Sequence, residues 1–348
     1  MLSRKNQGTP KCIDKSSLVW QHGIFIGKAG RTVFGVGAMR IIRGLEDVKK
    51  APLKDPVVTL GNFDGVHLGH QAIFKAVAAR AFDTGGASVV FTFEPHPLKV
   101  LAPHRSPRLL CTFREKMEQI EAAGVDAVIC ARFTPQFASQ NPGDFVDNVL
   151  VGAIGVKDLF VGHDYAFGRD RKGDAAFLRE AGARRGFGVH VVAPVKVEGI
   201  LVSSTKIRQL IMDGEVCLAS KLLGRPYSIE GTVIPGHSRG RDIGFPTANI
   251  TTPNELAPKE GVYAVSVDVE GRLYIGAANI GRNPTFGDEA TSYEVHLLDY
   301  EGDLYGKFIK MKFIKRVRDE VRFGGAHELA GQIKRDVERV RAIFADES

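Results

Sequence analysis

At 348 residues the chain has room for two domains, each able to bury its own core, and its 44% apolar content is that of an ordinary globular protein. No apolar run approaches the roughly 20 residues of a membrane span, and Cys12, Cys111, Cys130 and Cys217 stand too far apart for a zinc or redox pair, which points to a reducing cytoplasm. The net charge of +7 invites a nucleic-acid reading, but Arg4, Lys5, Lys11, Lys15, Lys28 and Arg31 against Asp14 place +5 of it in the first 38 residues and leave +2 for the rest, with no basic stripe to bind nucleic acid.

Residues 1–38 lack clear periodicity and are rich in Gly, Ser and Lys. Met39 reads as the natural initiator and 1–38 as an extension outside the functional protein. A targeting peptide is the rival, but no compact apolar core followed by a cleavage-like site stands out. Met39-Arg40-Ile41-Ile42 opens like a strand. Val57 to Leu60 is a short apolar run before a Gly-rich turn, and Gln71 to Ala81 reads as a helix. Ala87 to Phe93 is a buried strand, Phe113 to Ala123 a helix and Ala127 to Cys130 a strand. Phe145 to Val149 is helical, and Asp158 to Val161 and Val189 to Ala193 return to strand. Thr205 to Met212 and Glu215 to Leu223 are short helices around Asp213-Gly214. This alternation predicts an α/β domain with an open parallel sheet.

Gly224-Arg225-Pro226 marks the expected boundary, giving domains 39–224 and 225–348. Beyond it the pattern changes to period two, in Tyr263 to Val267, Tyr293 to Leu297 and Lys310 to Phe313, with turns at Glu270-Gly271 and Glu301-Gly302. That predicts an antiparallel sheet or small β-barrel. A closing helix carries Leu329, Ile333, Val337 and Val340 as one apolar stripe.

Two stretches carry chemistry. Gly61-Asn62-Phe63-Asp64-Gly65-Val66-His67-Leu68-Gly69-His70 lies at a strand-to-helix junction, where parallel sheets bind ligands. Glycines allow close backbone approach to a phosphate chain, and a helix start offers free amides and about half a positive charge. His67 and His70 add donors there. A zinc site does not fit, since no third ligand has suitable spacing. The second stretch is Gly236-His237-Ser238-Arg239-Gly240-Arg241 followed by Gly244-Phe245-Pro246-Thr247-Ala248-Asn249. It is no P-loop, because the Gly-Lys-Ser/Thr ending is missing. By themselves these residues fit a surface turn as well as a phosphate cover. Thr247 and Asn249, two apart on an extended segment, could share one hard cation such as Mg²⁺. Glu294 and His296 share one strand face, where a carboxylate could take a proton from a primary alcohol or merely face solvent.

The first stretch resembles the nucleotidyltransferase signature of the bifunctional prokaryotic riboflavin kinase/FAD synthetase family. Thr92-Phe93-Glu94-Pro95-His96-Pro97 is similar to that family's block after the second strand. Val161 to Gly168 with Lys172-Gly173-Asp174 resembles its flavin-side loop, which includes Asp164; His163 departs from the acidic or polar residue expected there and is given no role. Ser203-Ser204-Thr205-Lys206-Ile207-Arg208 resembles its motif for ATP phosphates. The resemblance implies a Rossmann-like nucleotidyltransferase domain in which His67 and His70 are catalytic, and Gly61, Asn62, Phe63, Asp64, Gly69, Asp164, Ser204, Thr205 and Arg208 bind ATP or flavin.

The second stretch is similar to riboflavin kinases through Gly244 to Asn249, Ala278 to Gly281, Asn283-Pro284-Thr285, Glu294 to Asp299 and Leu304-Tyr305-Gly306. Here the resemblance implies that Thr247 and Asn249 hold Mg²⁺ with ATP, that Gly236, Arg241, Gly244, Pro246 and Asn279 bind substrate, and that Glu294 is the catalytic base. The implied activity is two-step FAD synthesis: riboflavin to FMN, then FMN to FAD, each consuming ATP. The alternatives are a single-activity member and a non-catalytic flavin-binding regulator; both motif sets look whole. Small molecules are the expected partners, without nucleic acid or membrane, and the sequence leaves the oligomeric state open.

Overall fold

The computed structural model describes residues 38–50, 52–236, 244–282, 291–321 and 323–347. The expectations for the extension 1–38 therefore fall almost wholly outside the described residues, as do those for Arg241 and Asn283-Pro284-Thr285. The chain forms two compact units that divide between Ser204 and Thr205.

The first unit is built on a six-stranded parallel sheet of β1 (Arg40–Arg43), β2 (Val57–Leu60), β3 (Ser88–Glu94), β4 (Ala127–Arg132), β5 (Asp158–Gly162) and β6 (Gly188–Val192). Its strand order is β1-β4-β3-β2-β5-β6. Every strand pairs in parallel with its neighbours, as the alternation of strands and helices predicts. The chain runs outward from β2 through β3 to β4, then returns to the other side of β2 with β5 and β6. The order thus reverses between β2 and β5, which opens a crevice beyond their carboxyl ends.

Alternation along the strands divides the core. Val57, Val90, Val128 and Phe160 face α1 (Leu68–Thr84) and α3 (Phe113–Ala122) across Ile73, Phe74, Val77, Met117 and Ile120; the short helix α2 (Pro97–Leu101) has no buried residue. Val58, Leu60, Val89, Phe91, Ile129, Leu159 and Val161 face the other layer. That layer follows α4 (Pro135–Ala138) and α5 (Pro142–Asp144) and consists of the segment Phe145–Ile154 and α6 (Ala175–Arg185). The expected helix at Phe145 is a π-helical stretch that continues to Ile154. Likewise α1 begins before Gln71, because His67 caps it. A small hairpin, β7 (Lys196–Val197) and β8 (Ile200–Leu201), precedes α7 (Ser204–Met212).

At the amino end of β5, Asp158 is buried and receives Arg80 Nε at 2.9 Å and His190 Nε2 at 2.7 Å. Burial pushes its carboxyl up, but the hydrogen bonds from His190 and Arg80 outweigh that and hold it below its usual value of 3.8. A depressed folded value means stability present above the ordinary carboxylate pKa and lost as pH falls through the folded one. Unfolding free energy followed by urea titration from about pH 6 to about pH 3 should therefore fall more steeply for the native chain than for Asp158→Asn. Parallel curves would refute this role.

The second unit is a closed antiparallel barrel of β9 (Tyr227–Ile234), β10 (Ala248–Thr251), β11 (Gly261–Val269), β12 (Arg272–Arg282), β13 (Thr291–Leu297) and β14 (Phe308–Arg318). The order around it is β10-β13-β12-β11-β14-β9. The period-two residues Tyr263, Val265, Val267, Val295, Met311 and Phe313 are its buried set. From Thr205 onward α7, and all of α8 (Val216–Leu223), group with this unit although they precede the expected boundary at Gly224: Lys259 N–H donates to the Ile211 carbonyl, and α8 packs on β14 and β9. The closing helix α9 (Ala326–Glu347) lays Val340 and Ile343 against Ala264, Leu298 and Ile314 on the outer wall. Its inner face also carries buried Asp336, held by Arg318 at 2.8 Å and Gln332 at 2.8 Å. Among the described residues, no helix is long and apolar enough to cross a membrane.

Candidate functional site

The first candidate site grows from the end of β2. Gly61 N–H still bonds the Phe91 carbonyl at 3.1 Å, and then the chain turns sharply. Phe63 at φ +50° and Val66 at φ +41° both lie in the left-handed region. That region is unusual for any side chain and an outlier for a β-branched one. Such strain persists only when the surroundings impose it. Phe63 folds its ring into the core against Phe74, with centroids 4.9 Å apart, and lies so close over Gly61 that a Cβ there would meet the ring at 2.8 Å. The Val66 carbonyl accepts from Gln71 Nε2 at 3.0 Å. Asp64 is buried; its Oδ1 accepts from Leu110 N–H at 2.8 Å, and its carbonyl accepts from Ser204 Oγ at 2.9 Å. Phe63 and Asp64 thus give the loop its shape from inside.

His67 is the N-cap of α1, its Nδ1 accepting from His70 N–H at 3.3 Å. A ring nitrogen that accepts carries no proton, so neutral His67 bears its proton on Nε2, where it is a donor. The His70 ring stacks on it at 3.6 Å and meets Phe63 edge-on at 5.2 Å. Gly69 makes the stack possible, since a Cβ there would sit 3.1 Å from the His67 ring. The first turn of α1 contains no acidic residue, so nothing there opposes an anion at the helix start. Across the reversal of strand order, exposed Asp164 follows β5, with His163 Nδ1 3.9 Å from its carboxylate. Ser204 begins α7, tied to the loop through Asp64, while Thr205 is exposed and Arg208 half-buried one turn along the same helix. Within the first unit the loop, the start of α1 and Ser204 form a donor-rich end of the sheet suited to a phosphate chain, while Thr205 and Arg208 fall in the second unit.

The second candidate site stands on the barrel wall. In the strand register Asn249 lies opposite Glu294, and Glu294 opposite Asn279. Three residues far apart in sequence thus form one row across β10, β13 and β12, with neighbouring Cβ atoms about 5 Å apart. All three are half-buried, whereas Ala248, Val295 and Ala278 beside them point into the barrel. The row therefore faces outward. His296, two residues along, donates Nδ1–H to the Pro246 carbonyl at 2.8 Å and meets Phe245 edge-on at 5.6 Å. This pins the strand leading to Thr247 onto β13. The sequence had shown His296 only as Glu294's neighbour on the strand. Gly236, two residues past the end of β9, lies against the Asn249 carboxamide, where a Cβ would overlap it. Gly244 turns at φ +84° before Phe245. Thr247 and Asn249 offer oxygen donors next to a carboxylate; no cluster of three or more His, Cys, Asp or Glu stands as a metal cage among the described residues.

Comparison with known proteins matches two family models to the chain. Residues 49–206 match the FAD synthetase family model, and residues 223–344 match the riboflavin kinase model. The bifunctional riboflavin kinase/FMN adenylyltransferase of Pseudomonas fluorescens is 41% identical over 88% of this chain and 98% of its own. That of Escherichia coli strain K12 is 40% identical over 88% of this chain and 98% of its own. A crystal structure titled as a macrolide-efflux protein from Streptococcus pneumoniae superposes with a TM-score of 0.80 at 34% identity, covering 88% of this chain and 99% of that one.

Proposed function

The chain belongs to the bifunctional riboflavin kinase/FMN adenylyltransferase family, and from that premise we propose which residues carry each half of its work. The protein makes FAD in two ATP-dependent steps. Riboflavin is phosphorylated to FMN with release of ADP, and FMN then takes the adenylyl group of a second ATP with release of pyrophosphate. One observation above the rest supports our division: the two motif sets stand on different scaffolds, the end of a parallel sheet and the wall of a closed barrel.

In our reading adenylyl transfer occurs at the Gly61–His70 loop. An FMN phosphate oxygen attacks the α-phosphorus of ATP and the bond to the pyrophosphate oxygen breaks. His67 Nε2–H, the His70 imidazole and the amides at the start of α1 are donors to the charge that builds up. Gly61, Asn62 and Gly69 let the phosphates approach, and Ser204, Thr205 and Arg208 hold the rest of the triphosphate. Asp164 serves the flavin side.

Phosphorylation occurs at the row on the barrel. Glu294 takes the proton of riboflavin's primary hydroxyl as that oxygen attacks the γ-phosphorus and ADP leaves. Thr247 and Asn249 fit Mg²⁺, because both supply neutral oxygen and the Gly236 backbone leaves space for the Asn249 carboxamide. Bound Mg²⁺ would neutralise phosphate charge. Gly236, Arg241, Gly244, Pro246 and Asn279 line the substrates. The working limits of the two domains are 39–224 and 225–348. A cytoplasmic setting, with small molecules rather than nucleic acid or membrane as partners, belongs to the same reading. The near-neutral charge beyond residue 38 supports it.

The direct test incubates the full chain with riboflavin and Mg-ATP and separates products by chromatography. FMN should appear first and FAD after it. Failure to form either product would overturn the assignment.

A further inference from the structure

The nucleotide loop is held from behind by a segment with no recognised motif. Leu110 N–H donates to Asp64, Gly65 N–H donates to Cys111 Sγ at 3.3 Å, and Lys116 Nζ donates to the Asn62 carbonyl at 3.3 Å. Lys116 is the unusual member. It is 9% exposed, and lysine is seldom so buried. It leaves the first turn of α3, a helix whose start is locked by Thr112 and Glu115 in a reciprocal cap. Its ammonium lies 5.9 Å from the centroid of the Phe113 ring. Thr92 Oγ1 approaches the same Asn62 carbonyl from β3, also at 3.3 Å. A peptide unit is planar and trans, so a carbonyl drawn toward Lys116 and Thr92 turns the Phe63 N–H the opposite way. Phe63 holds a φ of +50°, which needs such a restraint.

Resting on the assignment of adenylyl transfer to this loop, we propose that Lys116 is a positioning residue for that step. By gripping the Asn62 carbonyl it aims the Phe63 amide outward as a donor, and it sets a buried positive charge behind the face that receives phosphate. Lys116 acts through the loop and does not touch the reacting atoms.

The test uses the full chain with FMN and Mg-ATP. Lys116→Met keeps the length and removes the charge. It should lower kcat for FAD formation about 100-fold, the scale of a misplaced donor, while KM for ATP stays within about threefold and riboflavin phosphorylation is unchanged. Lys116→Arg, which restores a charged donor, should recover most of the loss. A native kcat in Lys116→Met, an effect on KM alone, or no recovery with Lys116→Arg would overturn the proposal. If Lys116→Met fails to fold, Thr92→Val decides: a lowered kcat at unchanged KM supports a role for the gripped carbonyl, and a native kcat refutes it. His70→Ala run in parallel separates the two levels. Should His70→Ala abolish FAD formation while Lys116→Met does not, only this inference fails. Should His70→Ala be fully active, the site assignment itself fails.

Discussion

Replacing His70 by alanine is expected to lower FAD formation from FMN by about 100- to 1,000-fold, the effect of removing one fixed donor from a charged transition state. The substitution is clean. The backbone N–H of residue 70, which caps onto His67 Nδ1 at 3.3 Å, survives in alanine, so α1 keeps its start. What disappears is the ring stacked on His67 at 3.6 Å. Riboflavin phosphorylation should continue at the native rate, because Glu294 belongs to the other unit. The measurement is the time course of FMN and FAD in one reaction, with a thermal melt to confirm folding. If both rates fall together in a folded protein, the two-site model is wrong.

Glu294→Ala should give the mirror result. Loss of a general base typically lowers a rate by about 10²- to 10⁴-fold, here the conversion of riboflavin to FMN. FAD formation from supplied FMN should be untouched. Glu294→Gln sharpens the test, since it keeps the side-chain volume within the row shared with Asn249 and Asn279 and removes only the ability to accept the proton. Undiminished FMN production by the glutamine variant would exclude Glu294 as the base.

Much of the fold was legible from local pattern. Continuous apolar runs such as Val57 to Leu60 marked strands buried on both faces, and the parallel sheet bears this out. Strict alternation in Tyr263 to Val267 marked a half-buried strand, which proved to belong to a closed barrel. The ends and faces of helices depart from the local pattern. Helix α1 starts at Leu68, ahead of the expected Gln71, because it is capped by His67, which is not among the usual capping residues. The apolar stripe of α9 is interrupted by Asp336, three residues after Ile333 and four before Val340. Its buried pairing with Arg318 depends on a strand the helix meets only after folding.

The candidate sites divide in the same way. The sequence by itself determined the Gly61–His70 turn, because glycines and a helix start are local properties of neighbouring residues. It also placed Thr247 and Asn249 two apart, and Glu294 on one face of its strand. Only the tertiary structure decided that Asn249, Glu294 and Asn279 form one row, since hydrogen-bond register is set by how the barrel closes. Only the tertiary structure turned the Phe63 and Asp64 side chains inward to shape the loop, and brought Lys116 behind Asn62. Burial and long-range contact belong to the packed chain: a lysine in an amphipathic helix looks like any solvated lysine until the surface around it has closed.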